Sequence, residues 1–254
     1  MKLKFLGTGT SQGVPPIGCT HPVCKSSDPR DKRLRTSAIV TTDDGRKILI
    51  DCGPDFRQQM LATGEEDVHA VLLTHEHNDH VIGLDDLRPL IFKNRQDMPL
   101  YCNERVAGEV MTRFPYAFGD ERYPGAPGFE IYIVKNPFSL FGEAIIPVEI
   151  KHYQLDIFGY RIRNMAYITD GSFLSDNAMK QLQNLEILVI NCLRLENPHH
   201  AHFILPDILE IVSVLKPAQT YLTHMSHHMG FHEELLNKLP AGISPSYDSL
   251  EVEF

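Results

Sequence analysis

Residues 71–80 have the sequence VLLTHEHNDH. The apolar residues at its start belong to a segment, beginning near residue 69, with the length and composition of a strand. Residues 75–80 then place three imidazoles and a carboxylate on the loop that follows, where functional sites are usually built. These groups would be costly to bury together without partners. The stretch therefore predicts a metal site, and a polar loop of hydrogen-bonded histidines is the alternative.

The spacing of these side chains predicts that one loop serves two ions. His75 and His77 lie two residues apart, so on extended backbone they point to the same side. Asp79 and His80 follow where the chain can turn, which lets them face a second, nearby point. Imidazole together with carboxylate suits zinc, iron or manganese better than calcium or magnesium.

The stretch resembles the H-x-H-x-D-H signature of the metallo-β-lactamase superfamily, and every ligand position of that signature is matched. The resemblance implies an α/β fold, namely a four-layer αβ/βα sandwich with a dinuclear metal site between two β-sheets. Members of the superfamily mostly hydrolyse esters, amides and phosphodiesters. At 254 residues, we expect one hydrolase domain that spans residues 1–254.

Three later residues match the remaining ligands of the superfamily. His152 follows a strand predicted over residues 144–150, and its order and spacing match the third histidine of the first site. Asp170 stands where the superfamily has an aspartate that bridges the ions, with a simple Asp-Gly turn as the alternative. His224 ends an apolar strand in the pair Thr223-His224, just as Thr74-His75 ends the earlier strand. The resemblance assigns one trio to each ion and one residue to both: His75, His77 and His152; Asp79, His80 and His224; and Asp170.

Two ions held in this way can share a hydroxide that attacks the substrate, so no serine or cysteine nucleophile is needed. Asp79 is expected to take part in catalysis as well as in metal binding. The leaving group still needs a proton, and His202 is the candidate general acid because imidazole titrates near neutral pH. His202 also precedes an apolar helix, as a catalytic histidine does in phosphodiesterase branches of the superfamily.

Candidate substrate contacts are less sharply defined by the sequence. Residues 83–89 predict a short helix that stops at Pro89, and Arg88 within it suits a phosphate group. A surface salt bridge is the equal alternative for Arg88. His199 and His200 either orient the substrate or lie on the surface.

Asp51 is predicted to support the metal loop from below. It ends the second strand of a hairpin predicted over residues 37–42 and 46–51, which an Asp-Gly turn joins. The resemblance implies that Asp51 braces the metal loop through hydrogen bonds.

The glycine-rich turn at residues 7–13 lacks the lysine of a phosphate-binding loop. The resemblance implies instead that this turn closes the first strand beneath the metal site.

A second, structural metal site is predicted near residue 20. Two thiols and an imidazole, from Cys19, His21 and Cys24, lie within six residues, and this pattern predicts three ligands of a zinc site. Two incidental loop cysteines are the alternative. The pattern resembles the phosphoribosyl cyclic phosphate phosphodiesterases of the carbon–phosphorus lyase pathway, whose C-x-C-x-x-C motif is completed by a later histidine, here His227. This chain has His21 where that motif has a cysteine, and zinc accepts either residue.

The net charge of −9 argues against a general polyanion binder, so we do not expect nucleic acid as a partner. No apolar stretch is long enough to cross a membrane, and Met1 to Lys4 shows no signal-peptide pattern. We therefore expect a cytoplasmic protein without a membrane partner, in which the five cysteines are not paired in disulfides. A homodimer is left open.

The leading hypothesis is a metal-dependent phosphodiesterase that acts on a small, cyclic ribose or nucleotide-like phosphodiester. Its cofactors would be two divalent ions, zinc or manganese, and one structural zinc. A tRNA 3′-processing endonuclease would use the same ligands, but no basic, glycine-rich arm for gripping tRNA is evident. The same fold would also serve a thioester or lactone hydrolase, or a binding protein without catalytic activity.

Overall fold

Two mixed β-sheets form the centre of the computed structural model, which describes residues 1–119 and 122–254. The first sheet contains β1 (Lys2–Gly7), β2 (Ser37–Thr41), β3 (Lys47–Ile50), β4 (Ala70–Leu72), β5 (Met98–Cys102), β6 (Phe129–Ile133) and β15 (Glu251–Glu253). Its strand order is β15-β1-β2-β3-β4-β5-β6, and the strands from β3 to β6 run parallel.

The second sheet has a parallel part and an antiparallel part. It contains β7 (Phe138–Leu140), β8 (Glu143–His152), β9 (Leu155–Ile162), β10 (Met165–Ile168), β11 (Phe173–Leu174), β12 (Ile187–Asn191), β13 (Gln219–Thr223) and β14 (Ile243–Pro245). The order is β11-β8-β9-β10-β12-β13-β14, with β7 paired to β8. The strands β10, β12, β13 and β14 are parallel.

Helices cover the outer faces of both sheets. The helices are α1 (Phe56–Thr63), α2 (Asn78–Val81), α3 (Arg88–Asn94), α4 (Glu104–Arg113), α5 (Asp176–Gln181), α6 (Leu205–Leu215) and α7 (His232–Lys238), of which the short α2 lies on the loop after β4 and not on an outer face. The core on the outer face of the first sheet includes residues of α1, α3 and α4. The corresponding core of the second sheet includes residues of α5, α6 and α7. The result is the four-layer sandwich that the sequence predicted.

Strand β3 is buried on both faces, which explains why its sequence is apolar at successive positions. Leu49 points to the helical side and packs in the same core as Phe56 of α1. Its neighbours Ile48 and Ile50 point the other way, into the core between the two sheets, which also contains Tyr160. A strand covered on both faces needs apolar residues at consecutive positions, as parallel strands in α/β proteins usually do.

The two sheets are tied together at the edge where the parallel strands end. The Phe158 amide donates to the Thr74 carbonyl oxygen at 3.0 Å, and the Tyr160 hydroxyl donates to the Leu73 carbonyl oxygen at 2.7 Å. On the other side of this edge, Gly9 forms bridges with both Arg35 and Met225. The glycine-rich turn therefore joins the first sheet to the loop after β13.

The segment around Pro89 differs from the prediction. Pro89 does not end a helix; it lies in the first turn of α3, which begins at Arg88. A proline is tolerated there because the amide groups of the first turn have no partner within the helix. Within residues 1–119 and 122–254, no helix combines the length and apolar character needed to cross a bilayer.

Candidate metal centre

Three histidines, His75, His77 and His152, form a first cluster whose ligand atoms lie within 4.8 Å of one another. His75 and His77 lie on the loop after β4, and His152 is the last residue of β8, so the cluster draws on both sheets. His75 Nε2 and His77 Nδ1 are 3.1 Å apart. Burial lowers the pKa of His75 well below its ordinary value. It also lowers the pKa of His77, with a further contribution from His152. The rings of His75 and His77 are therefore neutral, as metal ligation requires.

Asp79, His80 and His224 form a second cluster, again with ligand atoms within 4.8 Å of one another. Asp79 and His80 lie in the short helix α2, and His224 follows β13 directly. Asp79 Oδ2 is 3.2 Å from His80 Nε2 and 3.8 Å from His224 Nε2. The turn that the sequence suggested after His77 is thus the first turn of α2.

Asp170 lies between the two clusters. Its Oδ2 atom is 3.2 Å from His80 Nε2, and its Oδ1 atom is 3.2 Å from His224 Nε2. It also forms a group within 4.8 Å with His75 and His80, which links the second cluster to the first. Both oxygens therefore face histidines of the second cluster, and the grouping with His75 places Asp170 next to the first cluster as well. The structure therefore brings all seven predicted ligands to one place.

The chemistry of these groups fits divalent cations. His80 Nε2 and His224 Nε2 are buried and make no hydrogen bond, although carboxylate oxygens lie close to both. Burial alone would lower the pKa of His80, but Asp170, Asp79 and Asp51 together raise it well above its ordinary value. A positive charge is therefore favoured among these carboxylates, and an ion bound to the nitrogens and oxygens would supply it.

Asp51 occupies the position that the bracing role requires. Its Oδ1 atom accepts from the Thr74 amide at 2.8 Å, and its Oδ2 atom accepts from the Thr74 hydroxyl at 2.8 Å. The same Oδ2 is 2.7 Å from His80 Nδ1. This contact fixes the orientation of the His80 ring, so that Nε2 points into the centre.

The metal loop also rests on close backbone contacts that the sequence pattern does not reveal. The Cys52 amide donates to the His80 carbonyl oxygen at 2.7 Å. A Cβ atom on Gly53 would lie 2.1 Å from the Asp79 carbonyl oxygen, and one on Gly83 would lie 1.9 Å from the Gly53 carbonyl oxygen. Both positions therefore require glycine. The only sequence signal was the presence of glycine on each side of the loop.

Three residues of the centre have a left-handed backbone. The φ angles are 60° at Asp51, 56° at Asp170 and 51° at His224. Each follows the end of a strand, β3, β10 or β13, so the chain turns sharply just where the side chain enters the site. Non-glycine residues rarely adopt this conformation, and it is concentrated at functional sites.

His202 lies at the mouth of the centre. Its Nδ1 atom is 3.6 Å from Asp170 Oδ1, and its ring stacks on that of His224 with centroids 4.9 Å apart. Burial, followed by repulsion from His224, lowers the pKa of His202 to about 3. The ring is therefore neutral at physiological pH, and its buried Nδ1 has no hydrogen-bond partner.

A cavity of about 570 Å³ opens beside the first cluster. Its lining residues are His77, His152, Tyr153, Leu155, His199, His200 and Ala201. His199 and His200 line this cavity and are exposed, so a substrate contact by either residue stays a prediction. The Ala201 carbonyl oxygen is 2.8 Å from His152 Nδ1, which orients the other nitrogen of His152 towards the cluster. The segment carrying His199 to His202 thus forms one wall of the site.

Arg88 forms the salt bridge that was the alternative to a substrate contact. Its Nη2 atom donates to both oxygens of Asp85 at 2.7 and 2.9 Å, and Nη1 donates to the Gly125 carbonyl oxygen at 2.7 Å. In the structure these contacts, and not a phosphate site, engage the Arg88 side chain, and phosphate binding by Arg88 stays a prediction. Arg88 instead holds the loop at residues 114–129 against the start of α3; residues 120 and 121 of that loop lie outside the described part.

Three of the four predicted structural zinc ligands form a cysteine cluster: the ligand atoms of Cys19, Cys24 and His227 lie within 4.8 Å of one another. His21 stands beside this cluster, with its ring centroid 4.9 Å from that of His227. The Val23 amide donates a hydrogen bond to His21 Nδ1 at 3.3 Å. Burial, and then the neighbouring Cys19 side chain, raise the pKa of Cys24 to about 11, so Cys24 is a neutral thiol unless a cation binds it.

The model of the beta-lactamase superfamily domain matches residues 46–225 of the chain, which include both clusters and Asp170. The chain belongs to this superfamily. Its structure is similar to the crystal structure of a diphosphatase described as a new member of the PhnP family, at 42% sequence identity and a TM-score of 0.92. That match covers 100% of this chain and 97% of the other. It agrees with the phosphodiesterase branch that the sequence resembles, and with the predicted metal-dependent hydrolase.

Two further similarities concern proteins with other names. Zn²⁺-bound PqqB from Methylobacterium extorquens shares the fold, at 18% identity and a TM-score of 0.81, over 100% of both chains. A protein of Porphyromonas gingivalis named octanoyltransferase is 40% identical over 253 residues, or 99% of this chain. The chain spans only 51% of that protein's length.

The superfamily fold, which this chain shares with the Zn²⁺-bound protein, implies that the centre binds divalent metal.

Proposed function

We propose that the chain is a phosphodiesterase that cleaves a small, nucleotide-like phosphodiester or diphosphate ester. The observation that carries the proposal is the convergence of seven ligand side chains, Asp170 and six others, beside an open cavity. A cavity of about 570 Å³ has the size of a small-molecule site. The negative net charge and the histidine-rich lining disfavour a long polyanion and suit a compact phosphate group.

The first cluster would hold one divalent ion, the second cluster would hold another, and Asp170 would contact both. Two such ions would acidify a bound water and offset the negative charge of the phosphate. Asp51 holds His80 in the ring orientation needed for this, through the contact at 2.7 Å. The Ala201 carbonyl oxygen does the same for His152. The chain's contribution is therefore a set of ligands whose orientations are fixed before the substrate arrives.

His202 would donate a proton to the leaving oxygen. Its ring lies 3.6 Å from Asp170, and the preceding residue, Ala201, lines the cavity that would receive the leaving group. In the free protein burial keeps this ring neutral, because the low pKa of about 3 disfavours the imidazolium. A phosphate anion bound next to the ring would favour the imidazolium form of His202, which could then donate its proton to the leaving oxygen.

An acyl thioester hydrolase is the second candidate, because the Porphyromonas gingivalis relative carries the name of an acyl transferase. Four of the cavity's seven lining residues are histidines, and Leu155 is its one large aliphatic residue among those described, which favours a phosphoryl group over a long acyl chain. The phosphoryl substrate is therefore the better match to the wall of the site.

A substrate panel separates these functions. Purified protein is loaded with zinc or manganese and assayed on cyclic ribose phosphates, 2′,3′-cyclic nucleotides, dinucleoside diphosphates, bis-aryl phosphates, octanoyl thioesters, lactones and precursor tRNA. We expect turnover of the small phosphate substrates, and water labelled with ¹⁸O should place its oxygen on the phosphate product. Asp170→Asn should reduce the rate of hydrolysis to the uncatalysed rate in buffer while the fold persists. Asp176→Asn, on the outer helix α5, is the matched control and should keep the wild-type rate. Turnover restricted to thioesters, or undiminished turnover by Asp170→Asn, would refute the proposal.

A further inference from the structure

Glu76, the residue between His75 and His77, is held by an arginine from outside the site. Arg105 Nη1 donates to Glu76 Oε1, and Arg105 Nη2 donates to the main-chain oxygen of Asp156 at 2.7 Å. The Glu76 side chain is 13% exposed and that of Arg105 is 36% exposed, so the ion pair is partly shielded from water. One guanidinium therefore contacts two separate segments of the chain.

Those two segments are the ones that carry the first cluster. Glu76 lies on the loop after β4, which supplies His75 and His77. Asp156 lies on β9 opposite Lys151 of β8, one residue pair away from the pair of His152 and Leu155. The distance between the two sheets at this point sets the distance between His77 and His152. Arg105 spans that gap directly.

A second arginine of α4 reinforces the same contact. Arg113 Nη1 donates to the main-chain oxygen of Glu76, and Arg113 Nη2 donates to Glu109 Oε2 at 3.3 Å. Arg105, Glu109 and Arg113 are spaced four residues apart, which places them on one face of the helix. The helix is anchored at its start, where the Asn103 side chain accepts from the Val106 amide at 2.9 Å. Glu76 is thus held at its side chain and at its backbone by one fixed helix.

We propose that Arg105 is a positioning residue for the first cluster: it holds the His75 and His77 loop at the correct distance from His152. This inference rests on the proposed function, in which that cluster holds an ion. The planar guanidinium is suited to the task because it presents two donors in a fixed fork. Residues that hold ligands in place typically change metal affinity by about 10- to 100-fold when they are removed.

The test is a titration of the metal-free, full-length protein with Co²⁺, followed by its visible ligand-field absorption. Parallel titrations of His77→Ala and His224→Ala identify which binding step belongs to which cluster. We expect Arg105→Ala to weaken the His77-dependent step by about 10- to 100-fold and to leave the His224-dependent step unchanged. Arg105→Lys should be intermediate, because one ammonium group cannot replace the fork. Arg163→Ala, which removes an arginine bound to Glu143 on the surface, should match wild type.

The possible failures are distinguishable. If wild-type protein shows no His77-dependent step, the proposed metal centre is wrong. If that step is present and Arg105→Ala leaves it unchanged, or weakens all steps together with stability, the positioning role is overturned. If circular dichroism shows that Arg105→Ala is unfolded, the cobalt titrations of Arg105→Lys and Glu76→Gln test the positioning role instead. Wild-type cobalt affinity in both of these variants would overturn the inference.

Discussion

The Nδ1 atom of His80 lies 2.7 Å from Oδ2 of Asp51, and both side chains are fully enclosed by the protein. Asp51 also accepts two hydrogen bonds from Thr74, the residue just before His75. One carboxylate therefore orients a ligand of the second cluster and anchors the loop that carries the first. Its removal should affect both clusters.

Replacing Asp51 with asparagine is the sharpest test of this arrangement. The amide keeps the size of the side chain but removes the charge that faces His80, so we expect metal affinity to fall by about 10- to 100-fold. Competition with a chromophoric chelator measures the change. Asp67→Asn, which removes a carboxylate bound to Lys93 and Asn94, should leave the affinity unchanged. Equal affinities in the Asp51 and Asp67 variants would contradict the bracing role.

The close approach of Gly83 to Gly53 predicts a specific cost for an added methyl group. In Gly83→Ala the new Cβ would lie 1.9 Å from the Gly53 carbonyl oxygen, so the backbone under the metal loop must move. We expect a loss of about 1–3 kcal/mol in the free energy of unfolding, together with weaker metal binding. Urea denaturation and a metal titration measure the two effects.

Gly108→Ala supplies the matched control for that variant. Gly108 lies in α4, and a Cβ atom there would meet no heavy atom within 4 Å. Because glycine is a poor helix former, this change should stabilise the protein by up to about 1 kcal/mol. Opposite signs for the two glycine variants are the expected result, and equal destabilisation would show that the contact at Gly83 is not the cause.

The cysteine cluster predicts a zinc ion that supports structure rather than chemistry. Cys24→Ser should release one zinc ion per chain and lower the melting temperature, with a smaller effect on turnover. Zinc content by mass spectrometry and thermal unfolding measure this. Cys102→Ala removes a buried thiol from the core of the first sheet, so it should lower stability without loss of zinc. Unchanged zinc content in Cys24→Ser would rule out the site.

The ligands could be predicted from the sequence because their chemistry is local. Histidines and carboxylates at strand ends form a recognisable pattern, and the family signature gave the order of His152, Asp170 and His224. Strand β9 was not predicted, because Gly159 interrupts its apolar pattern. A Cβ at Gly159 would lie 2.4 Å from Ile168 Cδ1 of the neighbouring strand, so a larger residue there would require the Ile168 side chain to move.

The supporting residues could not be predicted for a related reason. Arg105 acts on Glu76 from 29 positions away, and Gly83 is needed because of the backbone at Gly53. Such contacts depend on how whole elements pack, and no pattern within one strand or helix encodes them. Arg88 shows the reverse case: its residue type suits phosphate, but in three dimensions its Nη atoms bond to Asp85 and to the Gly125 carbonyl oxygen, which no local pattern encodes.

His202 is the residue whose role depends most on the proposed reaction. Its ring lies between His224 and His199, with centroids 4.9 and 5.1 Å away, so its orientation is restrained on both faces. Its Nδ1 faces Asp170 at 3.6 Å. A proton donor in this position matters only when the leaving oxygen is basic, because an acidic leaving group departs without protonation.

His202→Ala should therefore slow the cleavage of alkyl phosphodiesters by about 10²- to 10⁴-fold and that of nitrophenyl phosphodiesters much less. The measurement is a plot of log kcat against leaving-group pKa, which should be steeper for the variant than for wild type. His69→Ala is the control, because the His69 ring accepts a hydrogen bond from the Lys47 amide outside the metal centre and should not alter the slope. Equal slowing of all leaving groups by His202→Ala would show that the ring positions the substrate or the ligands and does not supply the proton.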